Sequence, residues 1–190
     1  HLWRFDRPDR RAEVLVPGGW VSAFDKCAGT LVTVADAADH PGRATACVPG
    51  SAPRRIEHFN DKVLAGIDLG RHEEVWLTGA LGDRVQMWLS YPPGFDPKKT
   101  YPVLHTIHGG PHTLYGWSPS WEFQTLAAAG IGVFYCNPRG SEGYGEAFND
   151  ANHRDWGPGP TRDVLAGVEA LVADGLADPE RLGVTGGSYG

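Results

Sequence analysis

This 190-residue chain has no long apolar run; nothing approaches the ~18 consecutive apolar residues that a helical membrane span requires. Basic charge is scarce as well. Seventeen Lys and Arg stand against 23 Asp and Glu, for a net charge of −6. No basic block occurs, so the electrostatic footprint of a nucleic-acid binder is missing. Cysteine is sparse: Cys27, Cys47 and Cys136 are odd in number, widely spaced and without a CxxC pair. That pattern fits free thiols in a reducing, cytoplasmic compartment, each a small buried side chain. Nothing near His1 reads as a signal peptide, and the natural N-terminus is expected to lie upstream.

What remains is an ordinary globular composition, 41% hydrophobic and 21% charged, at a length suited to one or two domains. Its most informative segment is Gly186-Gly187-Ser188-Tyr189-Gly190. This is G-x-S-x-G, the sharp strand-to-helix turn that lifts a serine hydroxyl above a sheet as a nucleophile. With 26 glycines and seven serines, chance yields about 0.1 such matches per chain, so context has to decide. The short apolar strand predicted at 182–185, after the turn-like Asp178-Pro179, supplies half of that context.

The chain changes character along its length. In residues 1–65, short apolar or alternating runs fall at 2–5, 13–16, 20–24, 30–35, 44–48 and 54–56. Turn-rich breaks separate them at Pro17-Gly18-Gly19, Ala28-Gly29, Asp39-His40-Pro41-Gly42 and Pro49-Gly50-Ser51. The last four runs form a unit of about 40 residues, the length and strand count of a propeller blade. The first two then read as closing strands of the blade before it. A small independent β-sandwich is the alternative, with a thin core.

Residues 66–190 read differently. Two strands, 73–79 and 84–90, flank the turn Ala80-Leu81-Gly82-Asp83, and Val85, Met87, Leu89 and Tyr91 share one face by period two. A strand at 102–107, a helix at 120–129, a strand at 131–136 and a helix at 161–174 follow. The second strand lacks alternation, as one buried on both faces should. Thr161 is the expected N-cap of the second helix, Asp163 lies in its first turn, and Gly175 suits its end. A hairpin followed by β-α-β-α-β predicts an α/β fold with parallel central strands.

His108-Gly109-Gly110-Pro111 directly follows the 102–107 strand. Attack of a serine on a carbonyl creates an oxyanion, and each preorganised donor to it is worth ~3–4 kcal/mol. Two backbone N–H groups can serve: that of Tyr189, after the nucleophile, and one from a glycine-rich loop after an earlier strand. His105, His108 and His112 could be read as metal ligands. On a strand, however, His105 and His108 point to opposite faces, and separate packing and loop roles are favoured, so no metal and no cofactor is expected. The seven tryptophans are spread out and read as core or blade-packing residues.

His108-Gly109-Gly110-Pro111, then Asn137-Pro138-Arg139-Gly140-Ser141-Glu142-Gly143-Tyr144-Gly145, then Trp156-Gly157 and Asp163, then the serine motif, resemble the prolyl oligopeptidase family of serine peptidases, nearest its acylaminoacyl-peptidase branch. The resemblance implies the end of a β-propeller over 1–65 and the N-terminal part of an α/β-hydrolase domain over 66–190. It implies Ser188 as nucleophile, with the Tyr189 and Gly110 N–H groups as the oxyanion hole. In prolyl-cleaving relatives a tyrosine stands where His108 stands here, which favours the backbone-only hole of the acylaminoacyl branch. Arg139 and Tyr144 take structural roles in this reading.

In this fold the triad runs Ser…Asp…His, so the acid and base are expected beyond Gly190, all eight histidines preceding Ser188. The chain as it stands is expected to be an incomplete and inactive fragment, because serine without a base is a weak nucleophile. The expected function is serine-type hydrolysis of short peptides through an acyl-enzyme. Short peptides are then the partners, nucleic acid and membrane are not, and a homo-oligomer is left open. A carboxylesterase or lipase shares the serine turn and the His-Gly-Gly loop, and a non-catalytic propeller or pseudoenzyme module is the other rival.

Overall fold

The computed structural model describes residues 1–190 apart from Pro49 and Ala80. The turns expected at Pro49-Gly50-Ser51 and Ala80-Leu81-Gly82-Asp83 therefore lie outside the described residues at those two positions. The chain divides into two compact units, His1–Asp68 with Gly116–Ser120, and Leu69–Tyr115 with Trp121–Gly190.

The first unit holds two antiparallel sheets. Strands β1 (Leu2–Asp6) and β2 (Arg11–Val16) pair as a ribbon. Strands β3 (Trp20–Cys27), β4 (Thr30–Ala37), β5 (His40–Cys47) and β6 (Arg54–Arg55) form a four-stranded meander in sequence order, followed by the short helix α1 (Asp61–Leu64). The break expected at 39–42 is narrower than the sequence suggests, since β5 already begins at His40. Pro41 is tolerated there because β6 pairs only with Thr45 and Ala46, which leaves that end of β5 an edge needing no proline N–H.

The second unit is a five-stranded sheet with helices. Strands β7 (His72–Thr78) and β8 (Arg84–Ser90) make the hairpin. Then come β9 (Tyr101–Ile107), α2 (Trp121–Ala128), β10 (Gly132–Asn137), α3 (Glu146–Asn149) with a 3-10 turn at Asp150–Asn152, α4 (Pro158–Ala173) and β11 (Ala177–Gly186). The strand order is β11-β9-β10-β8-β7, with β9 parallel to both β10 and β11. Helix α2 links β9 to its neighbour β10, whereas α4 returns the chain across β9 to β11. Right-handed crossovers running in opposite directions lie on opposite faces of a sheet. Accordingly α2 packs on β8 and β10, and α4 on β7 and β11.

Burial follows from that arrangement. Val85, Met87, Leu89 and Tyr91 enter the core with Phe134, Val164 and Leu171. Trp88 and Ser90, on the other face of β8, are buried too. Trp88 stacks on Tyr135 at 5.5 Å, and Phe123 of α2 covers Tyr135 at 4.8 Å. All of β10 is buried, as its unalternating sequence predicts.

Four local expectations are corrected. Helix α4 starts at Pro158, so Thr161 lies inside it and is not its N-cap; proline is pre-set for the first helical turn, and the Asp155 carboxylate accepts from the Gly159 N–H at 3.0 Å. Strand β11 starts at Ala177, and the Asp178-Pro179 signal appears as a break in its register against β9. Trp3, Trp20, Trp76, Trp121 and Trp156 are exposed, so the core half of the core-or-blade-packing expectation does not hold for these five. Cys27 is exposed and Cys47 half-buried, so only Cys136 behaves as a core thiol.

Asp163 departs further from its expected part. It is not a solvated first-turn acid but is fully enclosed at 0% exposure, paired with Arg139 at 2%. The Arg139 Nε and Nη2 donate to its two oxygens at 2.8 Å each, and the Arg139 backbone N–H adds a bond of 3.0 Å. Removing one partner of such a pair leaves the other charge buried and uncompensated, at a cost of about 3–5 kcal/mol. Asp163→Ala should lower stability by that amount in urea unfolding, while Glu169→Ala, on the exposed side of the same helix, should change it by less than ~0.5 kcal/mol. Equal effects of the two substitutions would remove the pair from its structural role.

Candidate active site

The carboxyl ends of β9 and β11 lie side by side at the point where the crossover direction reverses, the usual ligand position in open α/β sheets. After Gly186 the chain turns sharply, and the Gly190 N–H donates to the Gly187 carbonyl at 3.1 Å. Ser188 sits at the bend with φ of 61°, a left-handed conformation that costs a non-glycine residue of order 1–3 kcal/mol. The flanking glycines are required by close approach. A Cβ on Gly186 would stand 2.4 Å from the Gly190 carbonyl carbon, and one on Gly190 would stand 2.1 Å from the Ile107 oxygen. Ser188 itself is exposed. Tyr189 is fastened by its hydroxyl, which donates to the Trp156 carbonyl at 2.6 Å, and its ring meets Trp156 edge-on.

The loop after β9 abuts this turn. The direction in which a Gly109 side chain would project is filled by Ser188, with Cβ at 3.4 Å and Oγ at 3.9 Å from the notional atom. Gly110 is exposed and has φ of 129°. Among the described residues, the N–H groups of Gly110 and Tyr189 donate to no protein acceptor. A cavity of about 490 Å³ opens beside the two turns, with Thr106, His108, Gly109, Tyr115, Glu122 and Gly187 among its walls.

The three histidines of the β9 segment do not converge. His105 is in the core against Phe134, its Nε2 3.6 Å from the Cys136 sulfur and its Nδ1 unpaired. His108 is buried beneath the loop, and His112 is exposed. Among the described residues no three of His, Cys, Asp or Glu gather as a metal-holding group. Burial alone lowers the His105 pKa to about 4, and burial also lowers that of His108, opposed by a hydrogen bond to the Gly109 carbonyl.

The 137–145 stretch supports the site from beneath. Asn137 clamps Tyr115, accepting from its N–H at 2.8 Å and donating to its carbonyl at 2.9 Å. Tyr144 donates through its hydroxyl to Gln86 at 2.5 Å and lies 2.6 Å from the Asn137 amide nitrogen. Ser141 reaches His108. Sequence reasoning missed this last contact and the cavity walls Tyr115 and Glu122. The one available signal was a second serine in a glycine-rich loop.

The chain is similar to known peptidases. Residues 117–190 match the profile of the prolyl oligopeptidase family. The chain is 41% identical over 153 residues to the uncharacterized peptidase YuxL of Bacillus subtilis, which covers 80% of the chain and 23% of that protein. It is 38% identical over 149 residues to dipeptidyl-peptidase 5 of Schizosaccharomyces pombe, covering 75% of the chain and 22% of the relative. Among solved structures, an acylaminoacyl peptidase of Pyrococcus horikoshii superposes with a TM-score of 0.81 at 26% identity, over 92% of this chain and 28% of that one. The chain thus spans about a quarter of the length of the proteins it matches. No helix among the described residues is long and apolar enough to cross a membrane.

The buried His105 generates a pH dependence of stability. Its pKa of about 4 in the fold lies below the ~6.5 of an unfolded chain, so the unfolded state binds more protons between those values. Stability is therefore lost as pH falls from ~6.5 to ~4, by about 3 kcal/mol from this group. Urea unfolding of wild type and His105→Leu at pH 7 and pH 4.5 should show a smaller acid loss in the variant. The same loss in both would sink the assignment.

Proposed function

Since the chain belongs to the prolyl oligopeptidase family, we propose that it is the nucleophile-bearing part of a serine peptidase that hydrolyses short peptides through an acyl-enzyme. The α/β unit is the N-terminal part of an α/β-hydrolase domain, and residues 1–65 are the C-terminal end of a β-propeller that precedes it in the sequence. The observation that carries the reading is Ser188, held at positive φ on the turn after β11 with its Oγ against the glycine loop of β9.

The chemistry follows from that placement. Ser188 Oγ attacks the scissile carbonyl while a base removes its proton; the base and its orienting carboxylate come from beyond Gly190, in the order this fold uses. Charge then builds on the former carbonyl oxygen, where the Gly110 and Tyr189 N–H groups donate to it. The base returns its proton to the leaving amine as the intermediate collapses to an acyl-serine, which water then hydrolyses through a second tetrahedral intermediate. The cavity beside Gly109 and Gly187 receives the residue on one side of the scissile bond. Short or N-acylated peptides are the substrates, an N-acylated amino acid or a short N-terminal unit being released, in keeping with the names of the relatives, acylaminoacyl peptidase and dipeptidyl-peptidase. The protein works on peptides in the cytoplasm.

In the full-length protein, a fluorophosphonate should label Ser188 and no other serine, and Ser188→Ala should abolish labelling and peptide hydrolysis together. Hydrolysis persisting in that variant would refute the mechanism. Anilides of N-acetylated amino acids and of dipeptides, set beside the matching esters, separate peptidase from esterase. Turnover of esters alone would move the assignment to a carboxylesterase.

A further inference from the structure

The cavity beside the serine turn carries a single charge. Its ionisable walls among the described residues are His108, Tyr115 and Glu122, set between threonine hydroxyls and glycine backbone. Burial lowers the pKa of His108 and raises that of Tyr115, so both rings are neutral at pH 7. Glu122 is exposed to water, where a carboxylate is ionised. Its side chain forms no ion pair and no hydrogen bond among the described residues. Its field nonetheless reaches the cavity: after burial, the Glu122 charge contributes to the rise at the Tyr115 phenol, whose oxygen lies 3.1 Å from Thr106 Oγ1.

Glu122 is also fixed in place. The next two residues of α2 are buried and committed, Phe123 against the rings of Tyr115 and Tyr135, and Gln124 to the Gly70 N–H at 2.8 Å. These contacts set the rotation of the helix and so the position of the carboxylate. An acid in a first helical turn complements the helix dipole, but that role does not require the charge to line a cavity. The same cavity is walled by Gly109 and Gly187, the neighbours of the nucleophile turn. A substrate group lodged there belongs to a residue close to the scissile bond. An anionic group meets a like charge with no cation to offset it. An ammonium or guanidinium meets the carboxylate and finds acceptors in the hydroxyl oxygens of Thr106 and Tyr115.

We propose that this cavity is a cation subsite in which the Glu122 carboxylate receives an ammonium or guanidinium group of the peptide. Glu122 is thereby a specificity-determining residue, and the enzyme prefers substrates that are positively charged beside the scissile bond. The proposal rests on the reading of Ser188 as nucleophile and adds the charge class of the substrate. A peptide carries such a group in two places, a Lys or Arg side chain and a free α-amino end, and the subsite chemistry is the same for both.

The test uses the full-length enzyme with two sets of anilides. N-acetylated Lys, norleucine and Glu anilides vary the side-chain charge with the amino end blocked. Glycyl-norleucine anilide, free or N-acetylated, varies the end charge alone. In at least one set, wild type should favour the cationic member by about fivefold to thirtyfold in kcat/KM, and the set that does so names the source of the cation. Added salt should narrow the preference. Glu122→Gln should bring that ratio to within about twofold of unity, and Glu122→Lys should invert it, which a loss of packing cannot do. If the lysine variant fails to fold, the Gln variant still decides through the ratio. A wild type indifferent to charge in both sets, or a preference that survives Glu122→Gln, would overturn the proposal. So would a change in melting temperature alone, which is the signature of a helix-end role. Fluorophosphonate labelling of Ser188 in each variant keeps the two readings apart: a labelled enzyme without charge preference loses the subsite only, whereas a wild type unlabelled at Ser188 loses both.

Discussion

Asp163 and Arg139 exchange three hydrogen bonds in a place that water does not reach, and much of the site hangs from that exchange. Taking two charges out of water is costly, and their attraction offsets the cost only when the geometry is good and the remaining polar atoms are satisfied. Here the guanidinium meets the carboxylate through two parallel bonds, the strong bidentate arrangement. A third bond from the Arg139 backbone fixes the chain as well as the side chain. The pair therefore stitches the loop after β10 to helix α4. One end of that stitch leads to Ser141 and His108, and the other leads through α4 into β11 and Ser188. Each half of the site is referred to the same buried anchor.

The topology explains why those halves meet. Because α2 and α4 leave the sheet in opposite directions, β9 is flanked on one side by β10 and on the other by β11. The loop after β9 is thereby free of an overlying crossover on the β11 side, and the serine turn fits into the gap. The fit is tight enough that the Gly190 backbone rests on the Ile107 carbonyl. A strained serine persists at such a place because the surroundings over-determine it: strand pairing on one side, the Tyr189–Trp156 bond on the other.

Much of this was legible in the sequence, for reasons that are local. Period-two alternation at Val85, Met87 and Leu89, the solid apolar run of β10, and glycine after α4 are consequences of backbone geometry that short windows display. The meander of β3 to β6 was readable from short apolar runs set between turn residues, although β5 begins inside the break expected at 39–42. What stayed hidden was set by partners distant in the chain. Nothing near Asp163 says that an arginine 24 residues earlier will enclose it, and acids in the first turns of helices are usually solvated. Thr161 carries a capping side chain, but the helix already starts at Pro158, since proline suits a helix's first turn. Tryptophan and cysteine were assigned to cores by their average behaviour, and averages do not bind Trp156 or Cys27.

His108 shows most plainly why residue type alone does not fix a role. A histidine close to a serine in a hydrolase invites the reading of a base. A base, however, needs a free nitrogen lone pair within reach of the hydroxyl, and neither nitrogen of His108 is free. Burial further opposes the charged form that a base must adopt when it takes the serine's proton. The same two features that disqualify the ring from proton transfer suit it to holding a peptide plane still. An oxyanion site works by preorganisation, its donors standing in position before charge develops. A ring tethered at both nitrogens holds the Gly109 carbonyl in one place.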